Sequence, residues 1–98
     1  MRTKFLVSES KWFISAYILQ RGTFPLPDDM TTDMLKKRVE EMSDNSTLDM
    51  YYYVDECALP LHNGDRVKMG DFTWGVTDCS FDYNQGNLIY TLSRYGLF

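Results

Sequence analysis

The chain has 98 residues, enough for one hydrophobic core and too few for two, so we expect a single domain over residues 1–98. Hydrophobic residues make up 44% of the sequence and aromatic residues 15%, which excludes a mainly disordered chain. The formal net charge is −4, with seven basic and four acidic residues up to Arg38 but three basic and ten acidic residues from Val39 onward. An acidic second half repels a phosphate backbone and favours a protein partner with a basic surface, although acidity also serves solubility alone.

The first two predicted elements are a short strand at residues 4–7 and an apolar segment at residues 12–20. The β-branched and aromatic residues of the second segment are typical of a strand, and we predict a strand there. The alternative is a helix that Ser10 caps and that ends at Gly22. Both remain open, because a short apolar run is ambiguous by its period alone.

The next element is a helix from Thr31 or Thr32, either of which can cap it, to about Ser43. Its approach at residues 24–29 contains two prolines and is predicted to be extended. Four apolar residues recur at helical spacing and predict a buried side, and four charged residues predict a solvent side. The apolar residues are Met34, Leu35, Val39 and Met42, and the charged ones are Lys36, Lys37, Glu40 and Glu41.

From residue 47 onward the apolar residues follow a period of two, which predicts strands. Turn residues at 63–65, 70–71 and 84–87 separate four such strands, which indicates a curled antiparallel sheet or a small barrel. Gly75, inside a strand, is expected to supply the bend or bulge that curling needs. The predicted inward side chains are Leu48, Met50, Tyr52, Val54, Val67, Met69, Phe72, Trp74, Val76, Leu88, Tyr90 and Leu92.

Residues 59–76 (Leu-Pro-Leu-His-Asn-Gly-Asp-Arg-Val-Lys-Met-Gly-Asp-Phe-Thr-Trp-Gly-Val) contain a proline, a Gly-Asp turn, a two-sided strand and a second turn. This order resembles the entry of small SH3-like barrels, including head-closure and accessory proteins of bacteriophages and mobile elements. The resemblance covers roughly the last half of the chain and leaves out the helix. Together with the predicted helix, it implies an α+β domain, with a curled antiparallel sheet or a small SH3-like barrel and one main helix.

No residue pattern predicts catalysis, a cofactor or a metal site. His62 is the single histidine and is expected to lie on a surface loop, because the sequence offers it no recognisable nucleophile or second ligand. Cys57 and Cys79 form no Cys-x-x-Cys pair and are expected to be buried, reduced thiols. Because no such site is predicted, we expect that the protein is not an enzyme. The start of the sequence lacks a signal peptide pattern and no apolar run could span a bilayer, so we expect a cytoplasmic protein.

The strand at residues 47–55 carries the predicted partner-binding residues: Asp49, Tyr51, Tyr53 and Asp55 share the face opposite the core. Exposed tyrosines beside carboxylates form a rigid, amphipathic contact surface, unless the helix or the N-terminal strands cover them. We therefore expect a non-enzymatic protein-binding domain, such as a phage or mobile-element accessory protein that inhibits a host nucleic-acid-handling defence protein in the host cytoplasm. The alternatives are a phage head-closure or connector protein, or a nucleic-acid-binding small barrel whose tyrosines stack bases.

Overall fold

The computed structural model describes residues 2–54 and 60–94. In chain order, their elements are β1 (Arg2–Ser10), α1 (Lys11–Arg21), α2 (Thr32–Glu41), β2 (Thr47–Val54), β3 (Arg66–Met69), β4 (Phe72–Asp82) and β5 (Asn87–Arg94). The strands form one sheet in the order β2-β1-β5-β4-β3, with β1 and β5 parallel and the other neighbours antiparallel. The predicted α+β class is confirmed, but the sheet is mixed and open, because β2 and β3 lie at opposite edges.

Helix α1 shows that the strand prediction for residues 12–20 is wrong. The Ser10 hydroxyl accepts a hydrogen bond from the Phe13 backbone N–H at 3.1 Å, and Gly22, at φ 83°, donates to the Ile18 carbonyl at 2.7 Å. These two caps satisfy backbone groups that a helix end otherwise leaves unpaired, and they outweigh the β propensity of the segment. The exposed side of the helix carries Trp12 and Leu19, which are 74% and 89% exposed.

Helix α2 confirms the prediction of a helix capped by Thr31, and with α1 it makes two helices in the described residues where one main helix was expected. The Thr31 hydroxyl accepts a hydrogen bond from the Met34 backbone N–H at 3.2 Å. Leu35 and Val39 are buried as predicted, whereas Met34 lies more than half exposed. The four charged positions predicted to face solvent are all exposed.

The core lies between the two helices and one face of the sheet, which we call the inner face. Tyr17 of α1 packs against Phe24 and Phe72, with ring centroids 5.4 and 4.9 Å apart. Within the described residues, the predicted alternation of β2, β4 and β5 is confirmed, apart from Val54, which is exposed, and Leu88, which is half-buried. The buried inner-face residues are Phe5, Val7, Leu48, Met50, Tyr52, Phe72, Trp74, Val76, Tyr90 and Leu92.

The turns lie where the sequence predicts them, but the irregularity in β4 does not. Gly70 has a φ of 63° in the two-residue turn between β3 and β4, a conformation that favours glycine. Gly75, by contrast, pairs regularly with Arg66 and Ser93. The register shifts at Thr77, between Val76 and Asp78, so the bulge lies two residues beyond the predicted position.

One ion pair ties β1 to β5 at the rim of the core. The Glu9 carboxylate is almost buried, and its Oε2 lies 3.4 Å from Nε of Arg94. The Arg94 guanidinium in turn lies 3.7 Å above the centroid of the Phe13 ring. Burial raises the pKa of Glu9 above its ordinary value of 4.5, although the charge of Arg94 opposes the rise.

This raised pKa predicts a specific pH dependence of stability. Because the folded Glu9 holds its proton to a higher pH than the unfolded one, its contribution favours folding at low pH and is lost as the pH rises through the window just above 4.5. In Glu9→Gln that loss should disappear, while the amide oxygen can still accept from Arg94. Urea unfolding of the two proteins between about pH 4 and pH 7 measures the difference. The exposed Asp78→Asn is the control, and a Glu9→Gln profile parallel to wild type would contradict the prediction.

Candidate binding face

The face of the sheet opposite the helices carries the candidate site, and we call it the open face. In its centre, Lys4 of β1 lies between Tyr53 of β2 and Ile89 of β5. In the next row, Leu6 lies between Tyr51 and Thr91 in the same way. Tyr51 is 39% exposed, and the other five of these residues are half-buried. They keep this exposure because neither described helix packs on them. The open face is therefore defined by Lys4, Leu6, Tyr51, Tyr53, Ile89 and Thr91.

Three of the four predicted partner-binding residues lie together on this side of the sheet. Asp49, Tyr51 and Tyr53 follow one another at alternate positions of β2, as the sequence predicts. Asp49 accepts a hydrogen bond from the Ser8 hydroxyl of the neighbouring strand. Asp55 lies outside the described residues.

Two cations contact the tyrosines, and the sequence did not indicate them. The Lys4 amine lies 4.3 Å from the ring centroid of Tyr51 and 5.6 Å from that of Tyr53. The Arg2 guanidinium lies 4.4 Å from the centroid of Tyr53. Such contacts hold a cation against the face of a ring and restrict the orientation of both side chains. Arg2 and Lys4 alternate in β1 and therefore share one face of the strand. The sequence could not show that this face lies beside the tyrosines, because that requires the β1–β2 register.

The register also shows which charged strand residues lie on the open side of the sheet. Among the described strand residues on this side, four are basic and three are acidic, so their charges nearly cancel. The basic residues are Arg2, Lys4, Arg66 and Lys68, and the acidic ones are Asp49, Asp78 and Asp82.

A groove of about 260 Å³ runs beside the outer edge of β2. The segment from Pro27 to Met30 and the side chain of Arg38 form one wall. The other wall consists of the β2 residues Asp49, Met50, Tyr51 and Tyr53. The groove therefore continues the open face around the edge of the sheet.

The remaining polar residues singled out in the sequence form no second cluster in the part of the chain that the structure describes. His62 is exposed on a loop, as predicted, and its Nδ1 lies 3.7 Å from Oδ2 of Asp65. Cys79 is a free, exposed thiol on β4, so the prediction that it is buried is wrong, and Cys57 lies outside the described residues. Within residues 2–54 and 60–94, no group of three His, Cys, Asp or Glu side chains could hold a metal ion.

Comparisons with protein-family models, curated proteins and solved structures gave no significant match for this chain. None of the helices in the described ranges is long and apolar enough to cross a lipid bilayer.

Proposed function

We propose that the chain is a non-enzymatic binding domain that contacts a protein partner through the open face. The observation that carries the proposal is a sheet face with two tyrosines, a leucine and an isoleucine that neither described helix covers. Tyrosines offer a large contact area at a low cost in conformational entropy, and partly exposed apolar residues grouped on one face are typical of interaction sites.

The charges on the open side suggest the chemistry of the partner surface. The net charge of −4 and the carboxylate of Asp49 favour basic groups on the partner. Lys4 and Arg2, which lie against the tyrosine rings, favour acidic groups opposite them. We therefore propose a partner surface of mixed charge, with its basic residues near Asp49 and its acidic residues near Lys4.

The resemblance of residues 59–76 to small barrel proteins supports a proposal about biological context. We propose a phage or mobile-element accessory protein that inhibits a host nucleic-acid-handling defence protein in the host cytoplasm. Strand β3 and the first five residues of β4 lie within the resembling stretch. The rival within the same group is a head-closure or connector protein, which would assemble into rings.

Affinity capture from a bacterial lysate tests the use of the open face. We expect the wild-type chain to capture a partner protein. The double variant Tyr51→Ala/Tyr53→Ala should capture at least about tenfold less of it, because the two rings form the centre of the contact. Tyr83→Ala is the matched control, since Tyr83 is 87% exposed in the turn between β4 and β5 and lies outside the open face. Equal retention by all three proteins would contradict the proposal.

The retained partner then allows a test of the charges. Asp49→Lys combined with Asp55→Lys should lower the association rate and weaken its salt dependence, as expected of charges that steer encounter. The Asp49→Lys change by itself should alter stability little, since Asp49 is exposed and exposed charges contribute little to stability. Unchanged association kinetics at low salt would show that these carboxylates serve solubility alone.

Single-stranded nucleic acid is the second candidate partner, and the contacts of Lys4 and Arg2 with the tyrosines favour it. Aromatic rings with adjacent cations are the combination that binds bases and phosphates together. Fluorescence anisotropy with labelled oligonucleotides of about 15 nucleotides at about 50 mM salt decides between the two candidates. If the chain binds the oligonucleotides and Lys4→Ala weakens this binding, nucleic acid is favoured as the partner. If the chain binds no oligonucleotide, the protein partner is favoured.

A further inference from the structure

The two edges of the sheet differ in the features that normally prevent pairing between molecules. Strand β3 is four residues long and carries Arg66 and Lys68, and short, cationic strands protect an edge. Strand β2 is eight residues long, contains no lysine, arginine or proline, and pairs with β1 without any register shift. By these criteria β3 is a protected edge and β2 is an edge that can accept another strand.

The outer side of β2 is also available for hydrogen bonding. Among the described residues, no backbone group of β2 makes a backbone hydrogen bond other than those of its own ladder with β1. A groove lies between β2 and the segment from Pro27 to Met30, so the segment leaves space beside the strand. An antiparallel strand placed there would satisfy backbone groups that otherwise depend on water.

We propose that β2 pairs with β2 of a second copy of this chain, antiparallel about a two-fold axis at Tyr51. The two copies can form one continuous sheet only in registers that place the buried side chains of both on the inner face. The register about Tyr51 meets this condition. Leu48 then lies opposite Val54, and Met50 lies opposite Tyr52, so apolar residues meet apolar residues. Tyr51 meets its own copy as a cross-strand aromatic pair, which stabilises antiparallel strands.

Charge complementarity supports the same register. Asp49 of one copy lies opposite Tyr53 of the other, and that ring carries Arg2 at 4.4 Å and Lys4 at 5.6 Å. Each dimer thus places two carboxylates beside two pairs of cations, on the open side of a continuous ten-strand sheet. The pairing does not depend on the proposed partner, and it doubles the area of the open face.

Sedimentation velocity of the purified chain, from about 1 μM to about 1 mM, tests the pairing. We expect a concentration-dependent monomer–dimer equilibrium. Tyr51→Lys, which gives β2 the cationic protection that β3 has, should raise the dissociation constant at least about tenfold. Asp49→Lys should also weaken the dimer, because it turns an attraction to Arg2 into a repulsion.

Asp78→Lys is the matched control for Asp49→Lys, because it reverses the same charge on the open side but on β4, away from the β2 edge. Circular dichroism of each variant confirms that it folds. A wild-type chain that stays monomeric up to the highest concentration would overturn the proposal. A dimer that Tyr51→Lys and Asp49→Lys leave intact would also overturn it, because association would then use another surface.

Discussion

Replacing Trp74 by alanine is expected to lower the free energy of unfolding by about 3–5 kcal/mol, the cost of a large cavity in a packed core. The Trp74 side chain is fully buried, with an exposure of 0%, and packs edge-on against Phe72 with ring centroids 5.8 Å apart. Its indole N–H donates to the Met69 carbonyl at 3.3 Å. The substitution therefore removes ring contacts and leaves that carbonyl without this donor.

Tyr51→Ala is the comparison that makes this prediction specific. Tyr51 belongs to the open face and contacts the Lys4 amine, so its removal leaves no internal cavity and should cost much less. Paired urea unfolding of the two variants measures the difference. Equal losses would mean that the inner and open faces of the sheet are assigned the wrong way round.

The second large effect is expected for Gly70→Ala, which combines backbone strain with a steric clash. Gly70 has a φ of 63°, and a Cβ there would lie 2.5 Å from Cγ of Pro25. A proline ring has little freedom to move aside, so the turn or the Pro25 segment must shift. Clashes of this kind cost about 1–3 kcal/mol beyond the strain of a positive φ.

Gly86→Ala separates the two contributions. Gly86 has a φ of 68°, close to that of Gly70, but a Cβ there meets nothing within 4 Å. Gly86→Ala should lose only the roughly 1–2 kcal/mol that a left-handed backbone conformation costs a residue with a side chain. Thermal or urea unfolding should therefore rank Gly70→Ala below Gly86→Ala, and equal stabilities would show that Pro25 does not restrict the turn.

The parts of the fold with a local signal were predictable from the sequence. The period of two places Met50 and Tyr52 on the inner face, and the structure buries both. The cap at Thr31 and the glycine turns follow from backbone chemistry that acts over a few residues. For the same reason the alternation of Asp49, Tyr51 and Tyr53 was readable, although their role in binding remains a prediction.

The parts that depend on distant pairing were not predictable. In residues 12–20 the strand and helix patterns overlap, and the caps at Ser10 and Gly22 decide in favour of the helix. No local pattern indicates that β1 is an interior strand, with β2 on one side and β5 parallel to it on the other. The position of Lys4 against Tyr51 follows from that pairing, so the near balance of charge among the described residues of the open side could not be predicted from composition.

The parallel pairing of β1 with β5 has a consequence for the order of folding. Glu9 and Arg94, which meet at one end of this pair, are 85 positions apart in the chain. Contacts between residues so far apart in the sequence require the closure of a long loop. The entropy cost of that closure precedes the stability that the contacts provide, so such contacts slow folding. The β3–β4–β5 meander needs only neighbouring segments and tight turns, so we expect it to form before β1 docks. Until then β5 presents an unpaired edge to other molecules, and the docking of β1 removes that edge.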